Sequence, residues 1–273
     1  MSGLSSGSTL PGTYAARMTT ALVTGATAGI GWSFAKALAA DGYDVVLVAR
    51  DEARLHQRAG ELRAMHGVEA QVLVADLSDR VQLQRVADRL ASDDEPFDLL
   101  VNNAGFGLKT TCTGGELADV ERMFDVLCRA VLVTSHAAAR AMRARGHGAV
   151  VNVSSMAGFL SSGTYSAAKS WVTVFTEGLA TELAGTGVTA TAVCPGFVRT
   201  EFHARARTAM KELPDRAWLD SDEMVREALA DVRRGRVVSV PSRRYKVAWA
   251  LARVAPRPLV RRASVGVGRA RRR

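Results

Sequence analysis

A chain of 273 residues, 48% hydrophobic and 23% charged, has the size and balance of one large soluble α/β domain with little to spare. Its three cysteines (Cys112, Cys128, Cys194) and five histidines (His56, His66, His136, His147, His203) are scattered, which excludes a disulfide framework or a zinc-type ligand set and implies a reducing, cytoplasmic setting with no metal site. The net charge of +9 belongs to one end: from Arg233 onward stand thirteen Arg and one Lys with no acidic residue, so residues 1–232 carry −5, and no nucleic-acid recognition motif accompanies the basic end.

Met1–Arg17 is rich in Ser, Gly and Thr and lacks the charged start and apolar middle of a signal peptide. It is expected to be disordered, with Met18 an alternative start. From Thr20 short β-branched runs alternate with helical patterns. Strands are predicted at Thr20–Thr24, Asp44–Val48, Ala70–Val74, Leu99–Val101, Ala149–Val153, Thr189–Val193 and Val237–Val240, with helices at Ile30–Asp41, Glu52–His66, Arg80–Ser92, within Leu117–Arg145, and at Tyr165–Ala184. This order predicts a single-domain, Rossmann-like, doubly wound parallel sheet of about seven strands with helices on both faces. The domain should occupy residues 18–241, followed by a basic helix and tail over 242–273. The longest charge-free stretch, Gly148–Ala168, is too rich in Gly, Ser and Asn for a membrane span. The polar region Glu201–Asp222 follows a strand end and is expected to cover substrate, with Trp218 and Met156 among the substrate contacts.

Between the first strand and first helix lies Thr24-Gly25-Ala26-Thr27-Ala28-Gly29-Ile30-Gly31. Gly25 permits a tight turn, Gly29 lets a ligand approach the backbone, and Gly31 lets helix pack on strand. Free N–H groups at the helix start then suit a pyrophosphate, with Thr27, Ala28 and Ile30 beside it. About twenty residues on, where a carboxylate would hold the ribose of NAD, the second strand ends in Ala49-Arg50. A guanidinium pairs with a 2′-phosphate, so NADP(H) is expected, although Asp51 follows. At the end of the third strand, Asp76 stands either to accept from an adenine amino group or to cap the next helix, with Leu77 beside it.

Tyr165 and Lys169 are four residues apart and share a helix face. A neighbouring cation lowers a phenol's pKa, which makes the pair a tuned general acid. Upstream, the strand ending at Val153 runs into Ser154-Ser155, and a hydroxyl there could hold a carbonyl oxygen. Together with Asn102-Asn103-Ala104-Gly105 and Pro195-Gly196 followed by Thr200, these motifs resemble the short-chain dehydrogenase/reductase family, on the side of its ketoacyl reductases, over about Thr20–Val240. The resemblance implies that Tyr165 protonates a carbonyl, Lys169 lowers its pKa and binds the nicotinamide ribose, and Ser155 polarises the substrate. It also implies that Asn103, Ala104 and Gly105 line the adenosine half and that Pro195, Gly196, Val198 and Thr200 position the nicotinamide.

Two departures stand out. Leu127 occupies the position where the family usually has an Asn, which leaves the water-linked proton path to Lys169 in question. Ser155 precedes Tyr165 by ten residues, fewer than is usual, and the shortened loop Met156–Thr164 should open or reshape the substrate side. The expected reaction is reduction of a ketone, lipophilic and ketoacyl- or steroid-like, by NADPH; the competing reading is a non-catalytic NADP(H)-binding sensor. A homodimer or homotetramer is expected through the helices of Leu117–Arg145 and Tyr165–Ala184. Tyr245–Arg253 reads either as a helix lying with Trp249 on an anionic membrane surface or as one packed on the domain. Nucleic acid is not an expected partner.

Overall fold

The computed structural model describes residues 19–108, 110–200, 214–262 and 264. The expectations for Met1–Arg17, for 201–213 of the covering region and for 265–273 lie outside the described residues. Seven parallel strands form one sheet: β1 (Thr20–Thr24), β2 (Asp44–Ala49), β3 (Ala70–Val74), β4 (Leu99–Asn102), β5 (Gly148–Val153), β6 (Val188–Val193) and, after a separate two-stranded ribbon of β7 (Phe197–Val198) and β8 (Trp218–Leu219), β9 (Val238–Ser239). The order is β3-β2-β1-β4-β5-β6-β9, so the winding reverses between β1 and β4. In such sheets a ligand crevice opens at the carboxyl ends of those strands.

Strand alternation distributes two cores. Val23, Val45 and Leu47 face α1 (Gly29–Ala40), α2 (Glu52–His66) and α7 (Ser221–Arg233), meeting Phe34, Leu62 and Val225. Leu22, Val46 and Val48 face α3 (Arg80–Ala91), α5 (Ala130–Arg145) and α6 (Gly163–Glu182), meeting Leu83, Met142 and Leu183. Burial on both faces is why these strands are continuous apolar runs. The long helical pattern Leu117–Arg145 resolves into α4 (Leu117–Phe124), a π turn at Asp125–Arg129 and α5. Helical periodicity does not reveal such a turn, because it inserts a single residue into the register. Among the described residues no helix is long and apolar enough to cross a membrane.

The strands run one residue beyond the predicted ends at β2, where Ala49 pairs with Val74, and at β4, where a polar residue completes the ladder. Asn102 pairs with Asn152 across β4 and β5, and both are buried. The Asn102 amide donates to Asn152 Oδ1 (3.0 Å) and Ser135 Oγ (3.1 Å), Thr134 donates to Asn102 Oδ1 (2.8 Å), and Asn152 donates to Thr176 Oγ1 (3.0 Å). This network ties the sheet centre to α5 and α6 with each amide partnered, the condition under which buried polar groups are tolerated. Asn152→Ala strands these partners and should cost about 1–3 kcal/mol, read as a lower urea midpoint; an unchanged midpoint would show that the network adds nothing to stability.

Candidate active site

The glycine turn is built as its composition demands. Gly25 and Gly29 adopt φ of 67° and 55°, which only glycine adopts at little cost. A Cβ on Gly31 would overlap the Gly25 carbonyl, and one on Gly25 would lie 2.9 Å from Ala104 Cα. Thr24 Oγ1 accepts from the Asn103 and Ala104 N–H groups (2.9 and 3.0 Å), and Asn103 Nδ2 donates to Thr24 O (2.9 Å). The ends of β1 and β4 are thereby stitched together under the turn. Ala28 precedes α1 and its side chain offers no cap, and Gly29 and Ile30 of the first turn border the crevice.

A cavity of about 1060 Å³ opens there. Of the residues singled out from the sequence, all line it except Gly31, whose role is packing, and Trp218. The Trp218 ring lies instead on the β7–β8 ribbon, 6.0 Å from the Phe197 ring, with the Arg199 guanidinium 5.7 Å from its centre. At the other end, Arg50 and Arg122 flank Asp76, at 3.7 and 3.0 Å from its Oδ2. Asp76 Oδ1 accepts from the backbone and hydroxyl of Ser78 (2.9 and 2.7 Å). Partial burial disfavours the Asp76 carboxylate, but the Ser78 hydrogen bonds and the two guanidinium groups outweigh it and hold its pKa below the usual range. Asp76 is not a helix cap: Asp79 caps α3, accepting from Gln82 N–H (2.9 Å). Asp51 caps α2, accepting from Arg54 N–H (3.0 Å). Its carboxylate is thus engaged at the helix start, and both Arg50 and Asp51 border the cavity. Arg122 gave no signal in the sequence, since a lone Arg on an exposed helix face is ordinary.

At the far end of the cavity β5 delivers two serines with different fates. Ser154 is buried and donates to the Lys169 carbonyl (2.7 Å). Ser155 caps the short helical turn Met156–Phe159, accepting from Ala157 N–H (3.1 Å), and borders the cavity. Tyr165 and Lys169 stand one turn apart on α6, the Lys169 ammonium 6.0 Å from the Tyr165 ring centre. Lys169 is 5% exposed and donates to Val153 O (2.6 Å). Burial, opposed by the nearby Cys128 and Cys194 sulfurs, pushes its ammonium down to about 8. Leu127 lies in the π turn, fully buried, its methyl 2.6 Å from where a Gly105 Cβ would stand. It fills space and offers Lys169 no hydrogen bond. The short loop after Ser155 is closed down on α6: a Gly158 Cβ would come within 2.9 Å of the Lys169 and Ser170 backbone.

A further part of the wall comes from α8 (Arg243–Val254). Tyr245, Ala248 and Ala252 border the cavity. The Tyr245 hydroxyl donates to Ala217 O (2.7 Å) and accepts from Phe197 N–H (3.2 Å). A Cβ on Gly196 would fall inside the Tyr245 ring.

Residues 19–211 match the short chain dehydrogenase family. The chain belongs to that family. It is therefore an oxidoreductase that uses a nicotinamide cofactor on CH–OH and C=O groups. This short-chain dehydrogenase is 33% identical to a ketoacyl reductase of Nostoc over 182 residues, 66% of this chain and 63% of the relative. Its fold is similar to that of a short-chain dehydrogenase from Sphingobium yanoikuyae in complex with NADPH (34% identity, TM-score 0.81, 89% and 94% of the two chains). It is also similar to the bulky-bulky ketone specific alcohol dehydrogenase of Comamonas testosteroni (29% identity, TM-score 0.77, 92% and 93%).

The seating of α8 can be tested at Gly196. Gly196→Ala drives a methyl into the Tyr245 ring and should destabilise the protein by about 1–3 kcal/mol, with Tyr245→Ala in the same chain restoring part of the melting temperature. A wild-type melting temperature for the single variant would mean that α8 does not pack against this strand end.

Proposed function

We propose that this short-chain dehydrogenase reduces a lipophilic ketone with NADPH. The observation that carries the reading is one cavity holding both the uncapped glycine turn and the Ser155, Tyr165, Lys169 set. The residues fit the cofactor: the φ-positive glycines leave a cradle that side chains would fill, and the α1 N-terminus suits a pyrophosphate. When bound, the cofactor supplies the hydride. Arg50, with Arg122 close by, would hold a 2′-phosphate, favouring NADP(H) because a guanidinium pairs with that phosphate. Asn103, Ala104, Gly105, Asp76 and Leu77 would enclose the adenosine half, and Pro195, Gly196, Val198 and Thr200 the nicotinamide half.

Ser155 accepts from Ala157, which leaves its O–H to donate to the substrate oxygen. Tyr165 then protonates that oxygen. Lys169, fixed by the Val153 carbonyl, places a positive charge beside the phenol and lowers its pKa. With Leu127 unable to hydrogen-bond, proton resupply to Lys169 runs through groups other than this side chain. The sensor reading is not favoured, since all three groups share the cavity. The lipophilic substrate follows from Met156, Phe159, Leu160, Phe197, Ala248 and Ala252 around the Tyr165 end. Self-association is assigned to the α5 and α6 faces, where Leu132 and Val174 are exposed beside the stacked Trp171 and Phe175.

Fluorescence titration tests the cofactor assignment first. NADPH should bind more tightly than NADH, and Arg50→Ala should weaken NADPH roughly tenfold while sparing NADH, the scale of one charge-assisted contact; tighter NADH binding would overturn the role of Arg50. Tyr165→Phe should lower ketone turnover by roughly 10²–10⁴ without loss of NADPH affinity, and turnover at the wild-type rate would remove Tyr165 from the mechanism. The Lys169 charge is present below its pKa of about 8 and lost above it, so kcat for reduction should fall as pH rises through that value. A flat profile to well above it would show that the ammonium does not assist Tyr165.

A further inference from the structure

The helix α8 has two apolar faces, and the cavity uses only one. Tyr245, Ala248 and Ala252, three and seven residues along, line the cavity, and Trp249 turns inward against Phe159, ring centres 6.4 Å apart. On the opposite side Val247, Leu251 and Val254 stand four and seven residues apart, in one stripe. They are 61%, 63% and 79% exposed, and Leu259 on the following helical turn 257–262 is 56% exposed. The turn is anchored as well: Ser264 Oγ, buried, accepts from Ser161 N–H (2.9 Å), and Val260 is buried. The stripe therefore lies on a helix whose other face is packed on the domain. Arg243, Arg257, Arg261 and Arg262 are exposed around it, and the sequence holds no acidic residue after Asp231.

We propose that this face docks on an anionic lipid surface. Charge selects the occupant. Two copies meeting here would bring like-charged ends together, whereas acidic headgroups neutralise the arginines while the acyl region takes up the Val and Leu side chains. A nucleic acid would satisfy the arginines but leave the apolar stripe in water. The Trp249 anchor expected from the sequence is not part of this face, since its ring is spent on Phe159; the aliphatic stripe takes that place. Because the inner face of α8 is the wall of the cavity, docking sets the apolar end of the cleft beside the bilayer. Delivery of a membrane-dissolved ketone rests on the substrate reading above, whereas the docking itself does not.

The test is sedimentation of the full chain with vesicles of phosphatidylcholine alone and of phosphatidylcholine with phosphatidylglycerol. The protein should pellet only with the anionic vesicles. Val247→Glu and Leu251→Glu should each lower its partition roughly tenfold, with an unchanged melting temperature; should either fail to fold, Val254→Ser gives a milder loss. The proposal is overturned by pelleting with neither vesicle, by stripe variants that pellet like the wild type, which would leave charge alone at work, or by stripe variants whose only change is a smaller mass in solution, which would make the face a self-interface. None of these readouts depends on turnover, so a failed ketone screen leaves the result standing.

Discussion

One hydroxyl sits where the sheet changes its mind. Thr24 Oγ1 takes the N–H groups of Asn103 and Ala104 and joins the end of β1 to the end of β4, the two strands between which the winding order reverses. Chains leaving these strands must diverge to opposite faces, and the gap they leave is a crevice floored by backbone rather than filled by side chains. The glycines at 25, 29 and 31 are consequences of that crowding. A Cβ on Gly25 or Gly31 would meet the stitched loops, and one on Gly29 would meet the Thr200 side chain.

At the opposite end of the crevice the dominant constraint is a buried ammonium. Removing Lys169 from water costs several kcal/mol unless hydrogen bonds compensate. The Val153 carbonyl supplies one such bond, and Ser154 fixes the turn of α6 that carries the lysine by donating to its carbonyl. Two adjacent serines thus divide the work. The one pointing inward secures the helix, and the other caps the turn Met156–Phe159 at the cavity edge. The same burial that lowers the Lys169 pKa keeps its charge poorly screened near the Tyr165 ring. Leu127 completes the packing here, its methyl filling the space that Gly105 leaves open.

The C-terminal helix α8 packs on the domain. Its Tyr245 ring occupies the volume over Gly196, and its hydroxyl joins the backbones of Ala217 and Phe197. A segment that composition marks as an appendage is thereby part of the cavity wall. Its arginines partly serve packing, as Arg253 lies over the Trp249 ring at 5.0 Å.

The sequence by itself determined the order of strands and helices, the glycine turn with its cofactor class, and the Tyr165–Lys169 pair. All of these rest on local spacing: alternation of buried faces, φ-positive glycines, and residues four apart on one helix. It could not separate Asp76 from Asp79 as the cap of α3, nor show that Asp51 is engaged at the start of α2, because capping depends on where the backbone turns rather than on residue type. Only the tertiary structure decided that Arg122 reaches Asp76, that Trp218 lies away from the cavity, and that Tyr245 closes it. Those contacts join residues 46, 21 and 49 positions apart, and they exist because the chain folds back across the sheet. No periodicity in the sequence records that return.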